Sequence, residues 1–293
     1  MDFKSCLKPI AVDSGFRMDG YHIWCGSPVR GEDGRIYLFA ARWPEHTGFP
    51  QGYMHHSEIV LARAEAPDRP FTYVKTVLSG RGGGFWDGQM THNPQITRIG
   101  GRWVLYYIGN SDGTWETRAI GYATADSLTG EWTRVDRPLA LPANANNPAV
   151  YVEDDGGVLL IFRDGNLKVS AARAPRYDGA YTLLNGDVTN GLRLEDFYVY
   201  KENGRYVMLA EDNVGAYSGH ERWGVVLTSD DGVHWFPRDP LIAYDHTLPF
   251  ADGTSITAER RERPQLLLEN GVPVALFTGV LYQGKTWNQA QLL

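Results

Sequence analysis

Along this chain the hydrophobic positions gather in short runs closed by glycine, asparagine and aspartate, and nowhere do they keep a sustained helical period. The runs IYLFAARW, WVLYYIGN, VLLIFRD, YVMLAED and VALFTGV are rich in β-branched and aromatic residues and read as strands. Each follows a turn signal: Glu32–Gly34, Gly100–Gly101, Asp154–Gly157, Glu202–Gly204 and Glu269–Gly271. Ahead of each turn stands a polar cluster that opens the preceding strand: CGSP (Cys25–Pro28), THNP (Thr91–Pro94), NANNP (Asn144–Pro148), LEDF (Leu194–Phe197) and RERP (Arg261–Pro264). Third strands read EIVLARA, AIGYATA, LKVSAARA and WGVVLTS, and fourth strands FTYVKTVL, EWTRVDRPL, AYTLLNGDV and HWFPRDPLI.

The closing residues of the clusters, Pro28, Pro94, Pro148, Phe197 and Pro264, are 66, 54, 49 and 67 positions apart. Repeats of four strands at that spacing predict an all-β fold, a five-bladed β-propeller around a central channel. A β-sandwich is the rival arrangement, but it has no reason to carry five matched clusters. The fifth unit runs out of chain after two or three strands, while Leu7–Val12 precedes the first unit without a blade of its own. That segment is expected to complete the last blade and remove an open edge.

The chain has 293 residues, and blades of roughly 55 to 60 residues account for it as one domain, residues 1–293. With 28 basic and 35 acidic residues the net charge is −7, and no basic stripe is present, so nucleic acid is not an expected partner. A neutral or polyhydroxylated ligand fits better. Cys6 and Cys25 stand 19 positions apart without a CxxC or Cys/His cluster, which predicts plain thiols and neither a disulfide framework nor a zinc site. No apolar run approaches the ~20 residues of a membrane span, and none has the form of a signal peptide. The expectation is a chain without a membrane partner, cytoplasmic as it stands, and periplasmic or secreted if an export signal has been removed.

In a propeller the residues that open the innermost strands converge at one mouth of the channel. That places Ser27, His92, Asn93, Asn147, Glu195, Asp196, Glu262 and Arg263 around one funnel. Strand capping accounts for Asn93 and Asn147, but not for Glu195, Asp196, Glu262, Arg260, Arg261 and Arg263 together, because converging charge must be paired or used. Two carboxylates facing a pocket suit glycosidic cleavage. Glu195 is the candidate acid, with Leu194 and Phe197 as apolar walls and Asp196 to orient the sugar or tune its neighbour. Candidates for the base are Asp87, in FWDGQMTHNP, Asp19, in RMDGYHIWCGSP, and Glu262, which flanking arginines would hold ionised.

Trp24, Trp43, Trp86, Trp115 and Trp223 fall near loops or strand ends, where an indole can stack on a sugar ring. His55, His56 and Glu58, in GYMHHSEIV, are a weak metal signal, because adjacent histidines on a strand point to opposite faces. No metal ligands are assigned. His220, Glu221 and Arg222, in GAYSGHERWG close to Glu211 and Asp212, read equally as a substrate-binding loop or a surface ion cluster.

The strings FRMDGYHIWCGSP, FWDGQMTHNPQI, NNPAVYVEDDG, GHERWG and ERRERPQLL, with LEDF in the fourth unit, resemble five-bladed propeller glycosidases, above all glycoside hydrolase family 43 and its relatives, over nearly the whole chain. In that family the general acid is a glutamate two places before a proline at the start of an innermost strand. Glu195 stands at that place, with Phe197 where the proline would be. The family's base aspartate before the blade-one proline is matched here by Ser27, and its blade-three aspartate by Asn147. The resemblance implies an exo-acting glycoside hydrolase acting on a plant or microbial oligosaccharide by paired carboxylates. Glu195, Asp87 and Glu262 are its candidate catalytic residues. Asp196, Trp24, Trp86, His92, Asn93, Asn147, His220, Arg222, Arg261 and Arg263 are its candidate sugar contacts. No cofactor is required, although related enzymes allow a structural cation in the channel. Two alternatives stand: a glycoside phosphorylase holding phosphate on Arg260, Arg261 and Arg263, and a non-catalytic carbohydrate-binding propeller.

Overall fold

A computed structural model describes all residues, Met1–Leu293. The expected repeats are present as five antiparallel sheets arranged as a β-propeller. Blades I to IV have four strands each and blade V has three. Their first strands are Tyr21–Arg30, Met90–Ile99, Asn146–Val152, Leu194–Glu202 and Arg260–Glu269. These strands touch in a closed cycle, I to II to III to IV to V and back to I, and so line the axis.

The second strands, such as Ile36–Pro44 and Arg205–Asp212, are almost wholly buried because each is covered by a blade on both faces. An apolar core fills every interface between neighbouring blades. The closing interface is built like the others: Ile36, Leu38 and Val60 of blade I pack with Leu267, Phe277 and Ala290 of blade V, and Phe16 is buried among them.

The N-terminal segment closes blade V through isolated bridges and not through a continuous strand. Phe16 exchanges both backbone hydrogen bonds with Asn288, at 2.8 and 3.1 Å, and Lys8 N–H donates to Leu292 at 2.9 Å. Ile10 instead pairs with Phe250, beside a separate hairpin of Thr247–Pro249 and Ser255–Thr257.

One irregularity recurs in all five blades. In each first strand the register slips by one residue against its neighbour: between Trp24 and Ser27, His92 and Gln95, Asn146 and Ala149, Glu195 and Tyr198, and Glu262 and Gln265. The residue after the first of each pair has a positive φ: Cys25 54°, Asn93 49°, Asn147 53°, Asp196 58° and Arg263 58°. Asparagine and aspartate accept this left-handed conformation readily, whereas for cysteine and arginine it costs roughly 1–2 kcal/mol. A β-bulge re-aims side chains. Here it turns two successive residues of every blade toward the same mouth of the channel.

Candidate active site

The bulges assemble a cavity of about 240 Å³ at that mouth. Both bulge residues of every blade line it: Trp24 and Cys25, His92 and Asn93, Asn146 and Asn147, Glu195 and Asp196, Glu262 and Arg263. The inner tier forms a hydrogen-bonded chain around the axis. Cys25 Sγ–H donates to Asn93 Oδ1 at 2.9 Å, Asn93 Nδ2 to Asn147 Oδ1 at 2.6 Å, and Asn147 Nδ2 to Asp196 Oδ1 at 3.0 Å. Arg263 Nη1 donates to the same Asp196 oxygen at 3.1 Å. The two asparagines therefore pass a fixed donor direction toward one carboxylate, which neutral amides can do and a ring of aspartates could not.

This geometry changes one expectation. The position in blade I equivalent to Asn93 and Asn147 is Cys25, not Ser27, because the bulge and not the proline defines the register. Ser27 lies below the cavity, where it accepts from Ile96 N–H at 3.1 Å and contacts Gln265 at 3.4 Å. Gln95 and Gln265 occupy the same level and tie their blades to Val150 and Phe197 of the neighbouring ones.

Blades IV and V supply the acidic wall. Glu195 is ion-paired with Arg163 and accepts from Asn213 Nδ2 at 2.8 Å. Directly across from it on the next strand is Glu211, which is fully buried. Arg222 Nη1 donates to both Glu211 Oε1, at 3.0 Å, and Glu262 Oε1, at 2.8 Å. Arg260 Nη1 approaches Glu262 at 3.4 Å. Burial, and then the charge of Asp196, pushes the Glu262 carboxyl up to about 7. Burial and the charges of Glu262 and Asp196 hold Glu211 well above the usual carboxylate range. Glu195 is also raised, by burial first, against the lowering pull of Arg163. Glu211 was absent from the sequence-level site. Its signal was an acidic residue closing a strand whose neighbour opens with Glu195, readable only once the register was known.

Blades I and II supply the aromatic wall: Trp24, Trp43, Phe49, Tyr53 and Trp115. Phe49 stacks on Trp43 with ring centroids 5.7 Å apart, and Tyr53 stacks on His92 at 4.4 Å. Burial, and then the charges of Arg263 and Arg118, hold His92 well below the usual imidazole range, and its Nδ1 lies 2.8 Å from Ser57 Oγ. Burial also holds the Cys25 thiol protonated.

Other expected site residues lie elsewhere. Asp87 is fully buried inside blade II, bound by Arg81 Nε at 2.7 Å, Tyr107 OH at 2.8 Å and Arg134 Nη1 at 3.1 Å. It cannot act as a base because no substrate can reach it. Trp86 is not a sugar platform: its indole packs on Tyr107 and fills the space left by Gly109 and Gly121. Arg261 points away from the cavity and is consumed by Thr278, Gln291 and the carbonyls of Asp245 and Thr247. His220 is exposed and stacked on Trp223 at 3.7 Å, so of that loop only Arg222 reaches the cavity. Asp19 is exposed in a turn, and Glu58 is paired with Arg42. His55 and His56 belong to a short helical turn, Tyr53–His56, and not to a strand.

For a cation the donor set is contested by arginines. Oxygens of Asp196, Glu211 and Glu262 lie within 4.8 Å of one another; guanidiniums of Arg222 and Arg263 hold one oxygen of each, and Glu211 Oε2 is left without a partner. Arg118, Arg163, Arg222, Arg260 and Arg263 outnumber the carboxylates Glu195, Asp196, Glu211 and Glu262 around the cavity. A further cation would enter a positive field.

No family model and no curated protein matches the sequence. Solved structures do match the fold. A family 117 glycoside hydrolase produced by the marine bacterium Zobellia galactanivorans superposes with a TM-score of 0.67 at 14% identity, covering 97% of this chain and 88% of that one. The GH43_1 enzyme from Xanthomonas citri complexed with xylotriose gives 0.67 at 16% identity over 97% and 89%. A GH43 β-xylosidase/α-arabinofuranosidase from a compost microbial metagenome gives 0.66 at 12% identity over 99% and 94%. At these identities the likeness establishes architecture, and the chain has the five-bladed β-propeller fold of glycoside hydrolases of families 43 and 117.

Proposed function

We propose that this protein is an exo-acting glycoside hydrolase in which Glu262 is the general acid and Glu195 the ionised partner that activates water or attacks the sugar. The observation that carries this reading is the placement of both carboxylates at equivalent bulge positions of adjacent blades, facing one cavity whose opposite wall is aromatic. A cavity of about 240 Å³ is smaller than the roughly 300–1,000 Å³ of sites that enclose drug-sized ligands, which favours a terminal sugar over the interior of a chain. An acid working near neutral pH needs a raised pKa, and Glu262 has one at about 7. Burial raises Glu195 too, but its ion pair with Arg163 pulls the other way and favours the charged form. These assignments exchange the roles expected from sequence, where the arginines beside Glu262 suggested an ionised group; burial, and then the charge of Asp196, outweighs them. Phosphorolysis receives less support. Arg261 is outside the cavity, and Arg260 and Arg263 are turned to carboxylates.

Aryl glycosides of graded leaving-group acidity test the assignment. Glu262→Gln should lose roughly a hundred- to ten-thousandfold in kcat/KM on poor leaving groups and keep most activity on dinitrophenyl glycosides, which need no acid. Glu195→Gln should lose activity on all of them and regain it with azide. The opposite pattern would reverse the roles. Binding of sugars without turnover of any glycoside would leave the non-catalytic reading standing.

A further inference from the structure

Arg118 is the one buried arginine of the chain whose charge the protein leaves unanswered. It is 8% exposed, it lines the cavity, and no carboxylate lies within ion-pair distance of it. The other buried arginines are committed: Arg42 to Glu58, Arg263 to Asp196, and Arg261 to a full set of hydroxyl, amide and carbonyl acceptors. Arg118 has only neutral partners: the carbonyl of Trp115, at 3.3 Å from its Nε, the hydroxyl of Tyr53, and the indole of Trp115 beneath it at 4.3 Å. Burying a guanidinium in this way is costly unless an anion meets it in the functional state.

The wider cavity carries the same imbalance. Arg163, Arg222 and Arg260 are neutralised by Glu195, Glu211 and Glu262. Arg263 keeps its Nε and Nη2 without partners although it is fully buried. Five arginines against the four carboxylates Glu195, Asp196, Glu211 and Glu262 leave positive charge in excess around an aromatic-walled cavity. A planar guanidinium seated over an indole carries terminal N–H groups in the fork that a carboxylate matches. One fork suits a monoanion; inorganic phosphate would need further guanidinium donors, and Arg163, Arg222 and Arg260 are turned to carboxylates.

Resting on the hydrolase reading for the identity of the ligand as a sugar, we propose that the cavity is built for a terminal sugar acid, a uronic acid whose carboxylate is held by Arg118 while its ring lies against the aromatic wall. Titration calorimetry on the whole protein tests this without turnover. The probes are galacturonate and glucuronate beside galactose, glucose and xylose, with inorganic phosphate as a separate arm.

At least one uronate should bind about tenfold or more tighter than its neutral counterpart, the order of one charged hydrogen-bonded contact. Arg118→Met, which keeps the stem on Trp115, should lower uronate affinity by more than neutral-sugar affinity and so erase that preference. Arg118→Lys should restore only part of it. If Arg118→Met does not fold, the wild-type comparison of each acid with its neutral sugar decides alone. Equal or weaker binding of the uronates overturns the proposal, as does phosphate binding that depends on Arg118 and exceeds uronate binding. Uronate preference without hydrolysis of any glycoside would sink the hydrolase reading and leave the sugar-acid site in place.

Discussion

Glu262→Gln is expected to make the protein more stable at alkaline pH, and by an amount that depends on pH. Glu262 is 6% exposed and its carboxyl is raised from the ordinary 4.5 to about 7 by burial and by neighbouring carboxylates. The folded state therefore holds this proton more tightly than the unfolded chain does. Its contribution to stability is fully present below about pH 4.5 and is lost as pH rises through about 7. At roughly 1.4 kcal/mol per pH unit, the loss amounts to about 3 kcal/mol by pH 8. Glutamine has nearly the same shape, cannot ionise, and does not suffer this loss. Thermal melts of wild type and Glu262→Gln from pH 4.5 to 8.5 should diverge by several degrees in Tm, the variant gaining as pH rises. A gap that stays constant across this range would refute the argument that burial and carboxylate crowding strain this group. Such a gain at the expense of catalysis is the usual trade at a site held in an unfavourable state.

Three further outcomes are expected. The kcat/KM of the wild type should fall by about tenfold per pH unit above about 7, as Glu262 loses its proton, and a profile flat to pH 9 would remove it as the acid. Asp87→Ala should cost about 3 kcal/mol by leaving Arg81 and Arg134 without their buried partner, seen as a lower denaturation midpoint, while kcat/KM of the folded fraction is unchanged. A specific loss of turnover at unchanged stability would return Asp87 to the catalytic set. Cys25, buried and held protonated, should resist alkylation in the native protein, as peptide mass spectrometry would report, whereas half-buried Cys6 reacts first.

The chain's own pattern was enough to predict the architecture. Short apolar runs, turn residues at matched intervals and five polar clusters specify strands and their repetition, because period-two burial and turn chemistry are local properties. The location of the mouth was legible for the same reason, since each cluster opens a first strand. His92, Asn93, Asn147, Glu195, Asp196, Glu262 and Arg263 do line one cavity.

What the sequence could not reveal was which way each side chain points. Arg261 and Arg263 are two residues apart and both fully buried, yet one faces the outer hairpin and the other the axis, because a bulge lies between them. Asp87 looked like a base beside a tryptophan, but Arg81 of its own loop and Tyr107 and Arg134, brought from two strands of the blade, surround it. Glu211 and Arg118 became part of the site only when strand pairing and loop folding carried them to it. Local sequence therefore determined the strands, their repeat and the chemistry available at the channel mouth. The tertiary structure decided which charges meet, which are neutralised and which are left for a ligand, because electrostatic partnership depends on distance and burial across blades and not on separation along the chain.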